Sequence, residues 1–196
     1  MARNRPGRFR AVVAGVSTGG VEALKLVLGG LPRDFPLPVM VVAHISPEAD
    51  NGLALLLDDQ CGIRIKEAEE LEETAAGTVY LAPPNYHLLV ERNATLSLSV
   101  DPPVRFARPS VDVLFESAAV AFGPALIGVV MTGAGSDGSH GLRLIKEVGG
   151  VTVVQDPATA EADPMPRSAI ETVSPDYIAP LVDIAPLLVR LANSQP

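Results

Sequence analysis

The chain is 196 residues long, 47% hydrophobic and 19% charged, with a formal net charge of −8, one cysteine and no tryptophan. This length and apolar content fit one domain with its own core; the single cysteine excludes an internal disulfide and fits a reducing cytoplasm. The acidic balance and scarce aromatics argue against a general nucleic-acid or anionic-membrane binder, and no apolar run is long enough to span a bilayer.

The start, Met1-Ala2-Arg3-Asn4-Arg5, is basic but leads straight into a strand-like segment, so it does not read as a secretory signal. Residues 1–9 are expected to form a flexible basic tail, and 10–196 a single folded unit. Hydrophobic patterning predicts a strand over 10–16 and a helix over 21–28, then a strand over 39–43 and a helix over 52–59. Short strands are expected at 63–66 and 79–82, separated by a charged, solvated run over 67–73. Alternating residues at 87–91 and 95–100, around Arg92-Asn93-Ala94, predict a hairpin. A helix over 111–121 follows, with Ser110 as its expected N-cap. Next come a buried strand over 125–131, a helix over 142–148 closed by Gly149-Gly150, and a strand over 151–154. Helices beginning at 166–171 and 184–191 end the chain. Strands apolar on both faces, alternating with helices, predict a doubly wound α/β fold: a mostly parallel sheet with helices on both faces and a small antiparallel hairpin.

Three polar residues each follow an expected strand directly. Ser17 lies in Gly15-Val16-Ser17-Thr18-Gly19-Gly20, His44 follows 39–43, and Asp137 lies in Thr132-Gly133-Ala134-Gly135-Ser136-Asp137-Gly138. The carboxyl ends of parallel strands share one edge of the sheet, where ligands bind, so these loops are expected to converge. A serine on a glycine-flanked strand-to-helix turn presents its hydroxyl above the sheet, but it is a weak nucleophile until a base takes its proton. Histidine titrates near neutrality and serves as that base, and a carboxylate orients it and balances its charge. Backbone N–H groups after Ser17 and in the 133–135 loop would hold an oxyanion. Each residue alone has an ordinary reading: Ser17 as a helix cap, His44 as a structural histidine, Asp137 as a turn former. Their joint placement favours the triad. His87 and Arg167 are weaker cleft candidates, and His140 reads as an exposed loop residue. Cys61 has no histidine near it in sequence and reads as inert, and no residue cluster has metal-ligand spacing.

From about residue 11 to about 189, the chain resembles the catalytic domain of the bacterial chemotaxis receptor methylesterases, the CheB family. The resemblance is carried by Gly15-Val16-Ser17-Thr18-Gly19-Gly20, His44 after a strand, Arg108-Pro109-Ser110-Val111-Asp112-Val113-Leu114-Phe115, the 132–138 loop, and Met165-Pro166-Arg167-Ser168-Ala169-Ile170. It implies a nucleophile, base and orienting acid at Ser17, His44 and Asp137, and oxyanion contacts by the backbone at Thr18 and Ala134. Gly19, His87 and Arg167 are the expected cleft residues. It further implies hydrolysis of glutamate γ-methyl esters on the cytoplasmic helices of chemoreceptors, with deamidation of receptor glutamines, no cofactor and no metal. Where the family usually has Gln before the histidine, Met between the glycines of the acid loop and Phe-Gly before Met-Pro, this chain has Ala43, Ala134 and Asp163-Pro164. Family members commonly carry a receiver domain ahead of the esterase. Only a short tail precedes the first strand here, so the chain is expected to be either a free-standing esterase or an excised domain, in neither case with its own phosphorylation switch, and a separate regulatory receiver protein is a candidate partner.

Two other readings compete. A module that docks on receptor helices without turnover would share the fold but not need Ser17, His44 and Asp137. A dinucleotide-binding domain would need G-x-G-x-x-G spacing and an acidic residue closing the second strand, where His44 stands instead.

Overall fold

A computed structural model of the chain describes residues 8–44 and 52–194. Of the flexible tail expected over 1–9, residues 1–7 lie outside the described residues, and Phe9 is not part of a tail but is buried in the core. The central element is β1 (Ala11–Val16), whose six residues are all buried. It pairs in parallel with β2 (Val39–Ala43) on one side and with Leu126–Val130 on the other. Beyond β2 the chain lays down β3 (Arg64–Glu67) at the sheet edge and β4 (Thr78–Leu81) between β3 and β2. A separate antiparallel hairpin, β5 (His87–Val90) and β6 (Leu96–Ser99), follows. The main sheet resumes with β7 (Leu126–Val130), β8 (Val151–Gln155) and β9 (Tyr177–Ala179), giving the order β3-β4-β2-β1-β7-β8-β9 with every pair parallel.

Because alternate side chains point to opposite faces of a strand, each face of the sheet acquires its own core. Val12, Ala14, Val39, Val41, Ile127 and Val129 pack against α1 (Gly20–Gly29) and α6 (Leu181–Ala192), with α2 (Gly52–Gln60) beside them. Ala11, Val13, Met40, Val42, Leu126 and Val130 face α3 (Val111–Phe122), α4 (Ser139–Glu147) and α5 (Pro164–Val173). The hairpin caps this second layer through Leu88, Val90 and Leu96, all buried. Fully buried side chains such as Leu114 and Phe115 contribute about 1.5–3 kcal/mol each.

The doubly wound α/β architecture and the hairpin are those expected from the sequence. Two details differ. The strand β9 has no counterpart among the expected elements, because it is three residues long and exposes Tyr177 and Ile178. The charged run after β3 is not simply solvated: Lys66 bonds Glu69 and Glu72, and Leu71 N–H donates to the Leu96 carbonyl of β6 at 2.9 Å. No described helix is long and apolar enough to cross a membrane.

Candidate active site

The chain leaves β1 to build β2, β4 and β3 on one side, then returns to build β7, β8 and β9 on the other. The helices that follow the adjacent strands β1 and β7, α1 and α4, lie on opposite faces of the sheet, which opens a crevice at its carboxyl edge. Ser17 follows β1, His44 follows β2 and Asp137 lies in the loop after β7. All three line one cavity of about 570 Å³.

Thr132 ties the Ser17 turn to the acid loop. Its carbonyl accepts from Ser17 N–H at 2.9 Å, and its hydroxyl donates to the Thr18 carbonyl at 2.8 Å. The buried Gln155 holds Thr132 in turn, its Oε1 accepting from Thr132 N–H at 2.8 Å. The two loops touch so closely that a Cβ at Gly133 would come within 2.9 Å of the Ser17 Cβ and also strike Met165. Gly19, with φ of 76°, makes the left-handed turn that starts α1.

Asp137 is 5% exposed, yet its carboxylate is fully partnered. Oδ2 accepts from His44 Nε2 at 2.9 Å and from Val111 N–H at 2.7 Å. Oδ1 accepts from the Ser110 hydroxyl at 2.9 Å and from Asp112 N–H at 3.0 Å. The acid thus sits on the N-terminus of α3, where free N–H groups and the helix dipole favour negative charge. Burial opposes ionisation, but the hydrogen bonds from His44, Asp112 and Val111 outweigh it and hold the carboxyl below its ordinary value. The neighbouring Asp112 is shifted the other way: burial pushes its carboxyl up, against one N–H bond from Gly141.

An ionised Asp137 only accepts hydrogen bonds, so His44 carries its proton on Nε2, and Nδ1 presents a lone pair. Among the described residues, nothing bonds to the Ser17 hydroxyl or to the N–H groups of Thr18 and Ala134. The Ser17 hydroxyl and these two N–H groups are therefore free to meet a bound group. Ala134 lines the cavity wall, and Ala43 is buried behind His44.

The structure separates the remaining expected site residues from the cavity. His87 is 1% exposed and faces α3, not the cleft: its Nδ1 accepts from Ser110 N–H at 3.2 Å, and its Nε2 donates to the Pro102 carbonyl at 3.3 Å. Arg167 is turned outward and pairs with Asp163 one helical turn away. Gly19 is covered by the Glu161 side chain and is not part of the cavity wall. Ser110 stands at the expected N-cap position but makes no cap bond; its hydroxyl is spent on Asp137, which caps the helix from another loop. His140 pairs with Glu116 on the surface, and burial, then Asp58, push the Cys61 thiol up. The sequence reading did not identify Thr132, Gln155 or the cavity residues Arg105, Phe106 and Arg108 as site residues. Arg108 and Ser110 did stand in a family motif, but the loop that brings Ser110 to Asp137 is visible only in three dimensions.

Comparisons with known proteins point to one family. The sequence profile described as CheB methylesterase matches residues 12–188. A Leptospira interrogans protein, provisionally named protein-glutamate methylesterase/protein-glutamine glutaminase, is 52% identical over 183 residues, covering 93% of this chain and 95% of its own length. A Clostridium acetobutylicum protein-glutamate methylesterase/protein-glutamine glutaminase is 39% identical across 94% of this chain and 54% of its own. The Myxococcus xanthus protein-glutamate methylesterase FrzG is 40% identical, across 94% and 55%. The chain thus spans nearly all of the Leptospira relative and about half of the other two. The crystal structure of the Thermotoga maritima CheB methylesterase catalytic domain superposes with a TM-score of 0.89 at 35% identity, covering 93% of this chain and 98% of that one.

Proposed function

The chain belongs to the CheB methylesterase family, and from that membership and the site geometry we propose that it hydrolyses glutamate γ-methyl esters on chemoreceptor helices, releasing methanol. By the same chemistry it deamidates receptor glutamines, in keeping with the protein-glutamine glutaminase activity in the names of two relatives. The observation that carries the reading is the 2.9 Å His44–Asp137 pair, seated on the N-terminus of α3 and sharing a cavity with an unencumbered Ser17 hydroxyl.

Ser17 Oγ attacks the ester carbonyl carbon as its proton passes to His44 Nδ1. Asp137, bonded to Nε2–H, balances the charge of the imidazolium. The carbonyl oxygen becomes an oxyanion against the N–H groups of Thr18 and Ala134, with the positive end of α1 nearby. The tetrahedral intermediate collapses, the bond to the methoxy oxygen breaks, and His44 returns the proton so that methanol leaves. A water molecule then gives a proton to His44 as it attacks the glutamyl–Ser17 ester; the bond to Ser17 Oγ breaks as His44 passes that proton to it, which frees Ser17 and releases the glutamate carboxyl group. With a glutamine substrate the leaving group is ammonia. A module that binds without turnover would have no use for this arrangement.

The test is methanol release from methyl-labelled chemoreceptor cytoplasmic fragments. The wild type is expected to release methanol, and Ser17→Ala to lose at least about a thousandfold in rate while its melting temperature stays unchanged. Equal release by both proteins would remove Ser17 from the reaction. No release by a folded wild type would remove this substrate.

A further inference from the structure

The outer wall of the cavity is a two-residue turn. Val104 N–H donates to the Ala107 carbonyl at 3.0 Å, Ala107 N–H donates to the Val104 carbonyl at 2.9 Å, and Arg105 and Phe106 lie between. Both central residues have positive φ, 48° and 67°, as in the type I′ turns that ordinarily take Asn or Gly. A phenylalanine there is unfavourable for the backbone, and this one is also 103% exposed. The fold therefore gains no burial from Phe106 in return for the strained turn. Residues held in such conformations at the mouth of a site point to a role there.

The turn is held in place from both sides. Arg105 Nη1 donates to the Ser136 hydroxyl, next to Asp137, at 3.1 Å. Arg108 donates to Asn85 Oδ1 and to the carbonyls of Val100 and Asp101. The charge of Arg108 is thus spent on the scaffold. Arg105 is exposed and makes no ion pair among the described residues, its charge reaching the buried Asp112 only through space, on a chain of net charge −8. Phe106 lines the mouth of the cavity and is fully exposed, so a ligand confined to the interior leaves most of its ring in water. Only a ligand that continues past the rim, such as a polypeptide carrying the ester on one side chain, covers it.

We propose that the Arg105–Phe106 turn is the docking element for the protein that carries the glutamyl ester, with Phe106 packing on an apolar side chain beside the ester and Arg105 meeting a neighbouring carboxylate. The inference rests on the esterase reading of the cavity. It makes the turn a determinant of protein over small-molecule substrates.

The double variant Arg105→Asn/Phe106→Gly tests it, because it suits the turn while removing both side chains. Its melting temperature is expected to equal or exceed the wild-type value. Its kcat/KM for the methyl-labelled receptor fragment is expected to fall at least about tenfold further than its kcat/KM for p-nitrophenyl acetate, mainly through KM. Phe106→Leu should keep most of the receptor activity. Equal fractional losses on the two substrates, or an unchanged KM for the receptor fragment, would overturn the proposal alone. A wild type that cleaves p-nitrophenyl acetate but no receptor ester would overturn the methylesterase reading and the proposal together.

Discussion

Asp137 shows how a buried charge is kept at little cost to the fold. A carboxylate offers about four acceptor positions, and four donors meet them: an imidazole, a hydroxyl and two helix N–H groups. Because its folded pKa is depressed, the group contributes stability that is present above the unfolded value and lost as pH falls through the folded one. Ser110 is one of the four donors and is itself fully buried. Ser110→Ala is expected to destabilise the protein by about 1–3 kcal/mol at neutral pH, the cost of removing a hydrogen bond to a charged acceptor. That difference should narrow as Asp137 becomes protonated. Denaturant unfolding at neutral and strongly acidic pH reads both effects; a destabilisation independent of pH would show that the bond does not act on the charge of Asp137.

At the scale of elements, the site depends on loops approaching more closely than side chains allow. The turn after β1 and the loop after β7 are joined through Thr132 and meet at Gly133. Gly133→Ala is expected to push Ser17 aside, costing about 1–3 kcal/mol of stability for the overpacking and at least tenfold in methanol release. The check is the pairing of those two measurements, since a variant that loses stability but no activity would mean that Ser17 is not displaced. Sequence patterning located the strands and helices to within a few residues because each strand of the inner sheet is apolar on both faces. It missed β9, whose Tyr177 and Ile178 are exposed and carry no such signal. It assigned Ser110 to its own helix because local capping rules do not show a carboxylate arriving from 27 residues further along the chain.

For the whole molecule, the parallel sheet does the placing. Residues 17, 44 and 137 are far apart in sequence, but each follows a strand, and strands β2, β1 and β7 are adjacent in the order of the sheet. The convergence of Ser17, His44 and Asp137 was therefore legible from their positions after strands, since a parallel sheet gathers its carboxyl ends along one edge. What lay outside the sheet was not legible in that way. His87 has the chemistry of a cleft residue but is buried in the hairpin against the start of α3, and Arg167 is drawn outward by Asp163. Arg105 and Phe106 resemble any loop residues until the turn is seen at the cavity mouth. The central claim is that Asp137 fixes His44 for proton transfer from Ser17, and the rate of methanol release by Asp137→Asn tests it most directly. With the fold intact by circular dichroism, the account predicts a fall of about three to four orders of magnitude relative to wild type; a rate within a few fold of wild type would contradict it.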